Sequence, residues 1–135
     1  MLYELHKCPK QYKSEIDRAM SFVIGLLDIP EHVYCNIQFR EWAGVSVGGC
    51  IDMEDDGEYH YFEIDINKRQ PLEEILATLF HEMKHVEQTV TGRLDQTMWE
   101  GVSFKDVPYD DRPYEKEAYE FESRAISKYG ELHAR

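Results

Sequence analysis

An α+β domain is what the sequence predicts: a small, mainly antiparallel sheet packed on an N-terminal helix, a second helix carrying HEMKH at His81–His85, and a C-terminal helix. Two patterns predict it. Apolar residues recur at helical spacing near both ends of the chain and through HEMKH, while the middle alternates apolar and polar residues with period two. No repeat, low-complexity segment or linker interrupts the 135 residues, a length that fits one compact domain, 1–135, with its own core.

The elements follow in order. Tyr12, Ile16, Ala19, Met20, Val23, Leu26 and Leu27 stand at helical spacing, and Asp28-Ile29-Pro30 closes that helix. Val33, Cys35, Ile37 and Phe39 alternate with Tyr34, Asn36 and Gln38, which makes a strand. A second strand-like run from Val45 to Met53 contains glycines, and a third alternates Phe62, Ile64 and Ile66 with Tyr61, Glu63 and Asp65. Between these two runs, Asp55-Asp56-Gly57 is a hairpin turn signal. Gln70-Pro71 opens the HEMKH helix: Pro71 suits a first turn, where its missing N–H has no partner to lose, and Glu73 and Glu74 complement the helix dipole. The helix stops before Gly92. A loop with Trp99-Glu100-Gly101 and Pro108-Tyr109-Asp110-Asp111 then leads to Pro113, which begins a last helix reaching about Tyr129.

Composition narrows the function classes. A net charge of −12 without a basic cluster argues against a nucleic-acid groove, which needs a local Lys/Arg surplus. Charged residues interrupt the first thirteen positions, MLYELHKCPKQYK, so no signal peptide is expected, and no apolar run is long enough for a membrane span. A cytoplasmic protein is expected. Cys8, Cys35 and Cys50 are odd in number and form no C-x-x-C pair, so reduced thiols are expected rather than a disulfide framework.

HEMKH carries the chemistry. On a helical wheel Leu72, Ile75, Leu76, Leu79, Met83, Val86 and Val90 gather on one face, while His81 and His85 lie together on the opposite side with Glu82 between. Histidines at i and i+4 stack their imidazoles one above the other, a separation that one zinc ion bridges with bonds of about 2.0–2.1 Å. Glu82 can then reach a water acidified by the metal and accept its proton. This is the H-E-x-x-H pattern; Gln88 and Thr91 stand where a metzincin has its Gly and third His.

A catalytic zinc takes three protein ligands and keeps one position for water, so a third donor has to come from elsewhere. In RPYEKEAYEFESRA, Tyr114, Ala118, Phe121, Ala125 and Tyr129 form the core stripe, flanked by Glu117 on one border and Glu115 and Glu122 on the other. Geometry alone does not choose among these carboxylates, and Glu100, His60 and His133 remain further candidates.

HEMKH followed by a helix with Glu115-Lys116-Glu117-Ala118 resembles the gluzincin metallopeptidases, most of all the very small cytoplasmic and phage-associated kind that includes the anti-repressor proteases. The resemblance spans roughly residues 62 to 126. It implies a minimal zincin fold and a third ligand in an E-x-x-A pattern, a register that selects Glu115 with Ala118; the thermolysin-like register would select Glu117 instead. Tyr119 stands four positions after Glu115, where the family often has Asp or Asn. The resemblance also makes the Tyr59–Asn67 strand the candidate to pair with extended substrate. Tyr109, Tyr114 and Tyr119 are candidates to stabilise the oxyanion of the tetrahedral intermediate.

Two other readings compete. Asp52 to Glu63 approaches the twelve-residue calcium loop, but strand-like flanks in place of helices make it an acidic hairpin. The expected function is zinc-dependent hydrolysis of a peptide or protein substrate, with His81, His85 and Glu115 as metal ligands and Glu82 as general base, and with no nucleic-acid or membrane partner. The alternative is an acidic protein-binding module or inhibitor whose zinc site is structural or non-catalytic.

Overall fold

The computed structural model describes residues 1–41, 48–55 and 59–133, the segment 48–55 by its backbone alone. Its larger sheet has four strands: β1 (Leu2–His6), β2 (Val33–Arg40), β3 (Gly48–Asp55) and β4 (His60–Asn67), in the order β1-β2-β4-β3. Helices α1 (Lys13–Leu27), α2 (Leu72–Val90) and α3 (Pro113–Leu132) complete the α+β architecture. Between α2 and α3 the chain makes a small antiparallel sheet from β5 (Leu94–Asp95), β6 (Met98–Trp99) and β7 (Val102–Ser103).

The expectation of a mainly antiparallel sheet is corrected. β1 pairs parallel with β2 and β2 pairs parallel with β4; in the four-stranded sheet only the β3–β4 pair is antiparallel. The physical reason lies in the connections. Helix α1 carries the chain back between β1 and β2, as a parallel pair requires, and β4 inserts between β2 and β3. Period-two alternation reports which face is buried, and it is the same for either strand direction.

The β3–β4 hairpin stands, with Asp55 opposite His60 and a register shift between Asp52 and Glu54. Positions 45–47 of the expected second strand and residues 56 and 57 of the expected turn lie outside the described residues, so the strand is seen from Gly48 onward. Strand β1 escaped the sequence reading, although Tyr3 and Leu5, which pack against the core, alternate with Glu4 and His6.

Local signals close each helix. Asp28 takes the left-handed conformation at φ 52°, ψ 49°; its N–H donates to Gly25 O at 3.3 Å, and the Ile29 N–H donates to Ile24 O at 3.1 Å. That is the Schellman arrangement, in which two otherwise unpaired carbonyls are satisfied at the helix end. Gly92, at φ +79°, turns the chain after α2. Pro113 occupies the first turn of α3, and the helix runs on past Tyr129 to Leu132.

The core joins one sheet face to all three helices. Val33, Cys35, Ile37 and Phe39 of β2 and Phe62, Ile64 and Ile66 of β4 meet Ile16, Met20 and Val23 of α1, Ile75, Leu79, Phe80 and Met83 of α2, and Phe121 and Ala125 of α3. The outer face is polar: Arg40 pairs with Asp65 at 2.8 Å and with Glu63 at 3.2 Å. No helix among the described residues is long and apolar enough to cross a membrane.

Candidate metal centre

Helices α2 and α3 build the site between them. The apolar stripe of α2 docks on the sheet and leaves His81 and His85 pointing the other way, as the wheel predicts, but that second face is not left to solvent. Helix α3 covers it, so His81 is 7% exposed and Glu82 6%. The stripe Ala118, Phe121, Ala125 and Tyr129 seats α3, and the same seating carries Glu115, in its first turn, fully under the surface.

His81, His85 and Glu115 offer three ligand atoms that all lie within 4.8 Å of one another. The imidazoles stand edge to face with centroids 4.8 Å apart. Both direct Nε2 at one oxygen: Glu115 Oε1 is 3.2 Å from His81 Nε2 and 2.5 Å from His85 Nε2. The other nitrogen of each ring is engaged from behind. His81 Nδ1 lies 2.8 Å from Glu122 Oε1, and His85 Nδ1 lies 2.8 Å from Gln88 Oε1.

The remaining candidates for third ligand fall elsewhere. Glu117 turns away from the histidines and forms an ion pair with Arg93, with Lys84 Nζ at 3.6 Å and Gln88 Nε2 at 3.1 Å. Glu122 stands behind His81 in place of an acid at position 119. Tyr119 instead lays its ring 4.5 Å from that of His81. Glu100 faces Arg93, His60 stacks on Phe62 in β4, and His133 stacks on Tyr129.

The electrostatics are those of closely packed charge. Burial pulls the His81 imidazolium down, but Glu115, Glu122 and Glu82 outweigh it and push its pKa up to about 9. Burial pushes the Glu115 carboxyl up, yet His81, His85 and the nearby Tyr109 hydroxyl outweigh that and hold it well below the usual carboxylate range. The Glu82 carboxyl is raised, by burial above all, against the opposing pull of His85 and His81.

This donor set fits a metal ion. The Glu122 carboxylate can only accept, so a neutral His81 donates its Nδ1–H there and turns a bare Nε2 towards Glu115 Oε1, lone pair to lone pair. A positive charge has to sit in that gap, either as a proton or as a metal. Glu115 Oε2, buried and without a hydrogen-bond partner among the described residues, asks for the same thing. Two imidazoles and a carboxylate, each imidazole held from behind, are the ligand chemistry of a transition metal in an open site.

The sequence missed the roles of Gln88 and Glu122. The signal for both was spacing: Gln88 follows His85 by one helical turn, and Glu122 lies two turns beyond Glu115 on the same helix. The expectation that the Tyr59–Asn67 strand pairs with substrate is corrected, because β4 is hydrogen-bonded on both sides and has no free edge. Among the described residues, strand β3 ends that side of the sheet. Of the three tyrosines, Tyr114 packs its ring 4.8 Å from Phe104 and accepts from Arg112, whereas Tyr109 and Tyr119 are exposed beside the carboxylates of the site. Comparisons of the chain with protein-family models, with curated proteins and with solved structures return no match.

Proposed function

We propose that the protein is a zinc-dependent peptide hydrolase with a minimal zincin-like architecture. The observation that carries the reading is the convergence of His81 Nε2 and His85 Nε2 on the Glu115 carboxylate, with Glu82 buried beside them. Zinc is favoured over other divalent ions by two imidazoles and one carboxylate, a set that leaves room for water.

Held by His81, His85 and Glu115, a zinc ion would supply Lewis-acid polarisation of the scissile carbonyl and would acidify the attacking water. Glu82 takes the proton of that water and delivers it to the leaving amine. In the metal-free protein burial raises the Glu82 carboxyl, the direction in which a carboxylate becomes a better proton acceptor. Glu122 holds His81 from behind, and the Tyr109 hydroxyl, which lies against Glu115, turns its one proton to the carbonyl oxygen as that oxygen gains charge. The substrate lies along β3, which packs near α2 and is the last strand on that side among the described residues, where backbone hydrogen bonds can hold an extended peptide.

The acidic binding module remains the rival, favoured by the net charge of −12. A structural zinc normally takes four protein ligands, and the described residues gather three. The test is elemental analysis of tag-free wild type and His85→Ala, followed by mass-spectrometric profiling of a peptide library. One zinc per chain, lost in the variant, together with cleavage that requires Glu82, is the expected result. Wild-type protein that takes up no zinc when it is supplied would overturn the reading.

A further inference from the structure

We infer that Gln88 is a positioning residue for the metal centre: it dictates which nitrogen of His85 faces the ion, and Glu117 and Arg93 hold it in the orientation that does so. The inference deepens the metal reading above and rests on it.

Donors and acceptors around the Gln88 amide fix its orientation. Gln88 is fully buried, so each of its amide atoms must find a partner inside the protein. Two oxygens flank one end of the amide: Tyr114 O and Glu117 Oε1 lie 3.0 and 3.1 Å from Nε2. Neither can donate, so the NH2 group has to occupy that end and both of its protons are used. The carbonyl oxygen is thereby turned to His85 Nδ1, at 2.8 Å. An amide oxygen only accepts, so Nδ1 carries the proton. A neutral imidazole has one N–H, and Nε2 is left bare, facing Glu115 Oε1 at 2.5 Å.

Reversing the amide would set its oxygen against two other oxygens and its NH2 against the ring N–H. The network therefore determines the tautomer without reference to the metal.

The two histidines are positioned by different means, and the difference explains the longer chain behind His85. Glu122 offers His81 a carboxylate, which accepts with either oxygen however it is turned. Gln88 offers His85 an amide, which accepts at one end only and so has to be oriented itself. Glu117 does this from α3, and Arg93 fixes Glu117 in turn with a two-pronged ion pair. The Arg93 guanidinium lies 4.6 Å over the Trp99 ring in β6, so the small sheet between α2 and α3 anchors the end of the relay.

The test uses the full chain, zinc as the probe and a competing chelator to read affinity. Gln88→Met keeps the volume and removes both hydrogen-bonding ends. It is expected to fold, by far-UV circular dichroism, and to bind zinc about 10- to 100-fold more weakly. In the zinc-loaded wild type, the His85 Nδ1–H should appear in the NMR spectrum as a slowly exchanging, downfield proton; in the variant it should be lost to exchange. A merely structural role for Gln88 would not move that proton. Should Gln88→Met fail to fold, Glu117→Ala decides by the same two readouts, with a weakening in the same direction. Unchanged affinity and an unchanged proton signal would overturn the inference while leaving the metal site intact; absence of zinc from the wild type would overturn the metal reading itself.

Discussion

Glu115 Oε1 lies 2.5 Å from His85 Nε2, so the first turn of α3 meets the middle of α2 at a single buried oxygen that His81 also faces. Two helices far apart in the chain thus share one cluster of ligand atoms. The fit depends on the apolar stripe of α3 as much as on the ligands themselves.

That relationship separates two neighbouring acids. Glu115→Ala is expected to lose stoichiometric zinc, because it removes the carboxylate that, among the described residues, meets both imidazole Nε2 atoms. Glu117→Ala keeps one zinc per chain, though held more weakly, since Glu117 faces Arg93 and reaches His85 only through Gln88. Elemental analysis of the two variants side by side checks this; retention of zinc by Glu115→Ala would assign the third ligand elsewhere.

Glu82→Gln preserves the shape of the side chain and removes its capacity to accept a proton. Zinc content should stay at the wild-type level while kcat falls by at least about 10²- to 10⁴-fold, the usual contribution of a positioned base. Hydrolysis at the wild-type rate would remove Glu82 from the mechanism.

Protons and metal compete for the same gap, and the sign of the pH dependence follows. In the metal-free protein His81 has its pKa raised from 6.5 to about 9, so the stability it contributes is fully present below 6.5 and is lost as pH rises through about 9. Glu115 acts in the opposite direction: its carboxyl is held low, and its contribution is present above the ordinary carboxylate range and lost in acid. Metal-free protein should therefore show a Tm that falls between pH 6.5 and pH 9. Zinc requires deprotonated nitrogens, so its affinity rises over the same window. Thermal melts with and without chelator should diverge as pH increases; a constant gap would show that His81 is not the group displaced.

Leu79 is fully buried on the core side of α2, one turn before Met83 and on the opposite side from the histidines. Leu79→Ala should cost about 2–5 kcal/mol of unfolding free energy, through lost burial and the cavity left behind. Urea denaturation of chelator-treated protein measures it, and a loss well below that range would mean that the sheet and α2 close over the gap.

Tyr109 stands with its hydroxyl beside Glu115, and burial followed by that carboxylate raises its pKa, so it remains a donor at neutral pH. Tyr109→Phe should retain one zinc per chain and reduce kcat by about 10²- to 10³-fold, as expected for the loss of one oxyanion donor. An unaltered kcat would exclude Tyr109 from that role.

Local chemistry made much of this legible in the sequence. The alternation of Val33, Cys35, Ile37 and Phe39 named the buried face of β2, Asp28 and Gly92 marked where helices end, and the spacing of His81 and His85 put both imidazoles on the face away from the core. Each of these is set by a period or a dihedral preference that acts over a few residues. Strand direction was not of that kind: alternation is identical for parallel and antiparallel pairing, and the crossover through α1 decided it. Nor was the choice among acids on α3. Glu115, Glu117 and Glu122 all border one apolar stripe, and only the docking of α3 on α2 sent the first to the histidine Nε2 atoms, the second to Arg93 and the third behind His81. The sequence by itself determined two of the three candidate ligand residues, because both stand on one helix at a fixed rise; the third, and the groups that choose which nitrogen the first two present, were decided by how two helices pack.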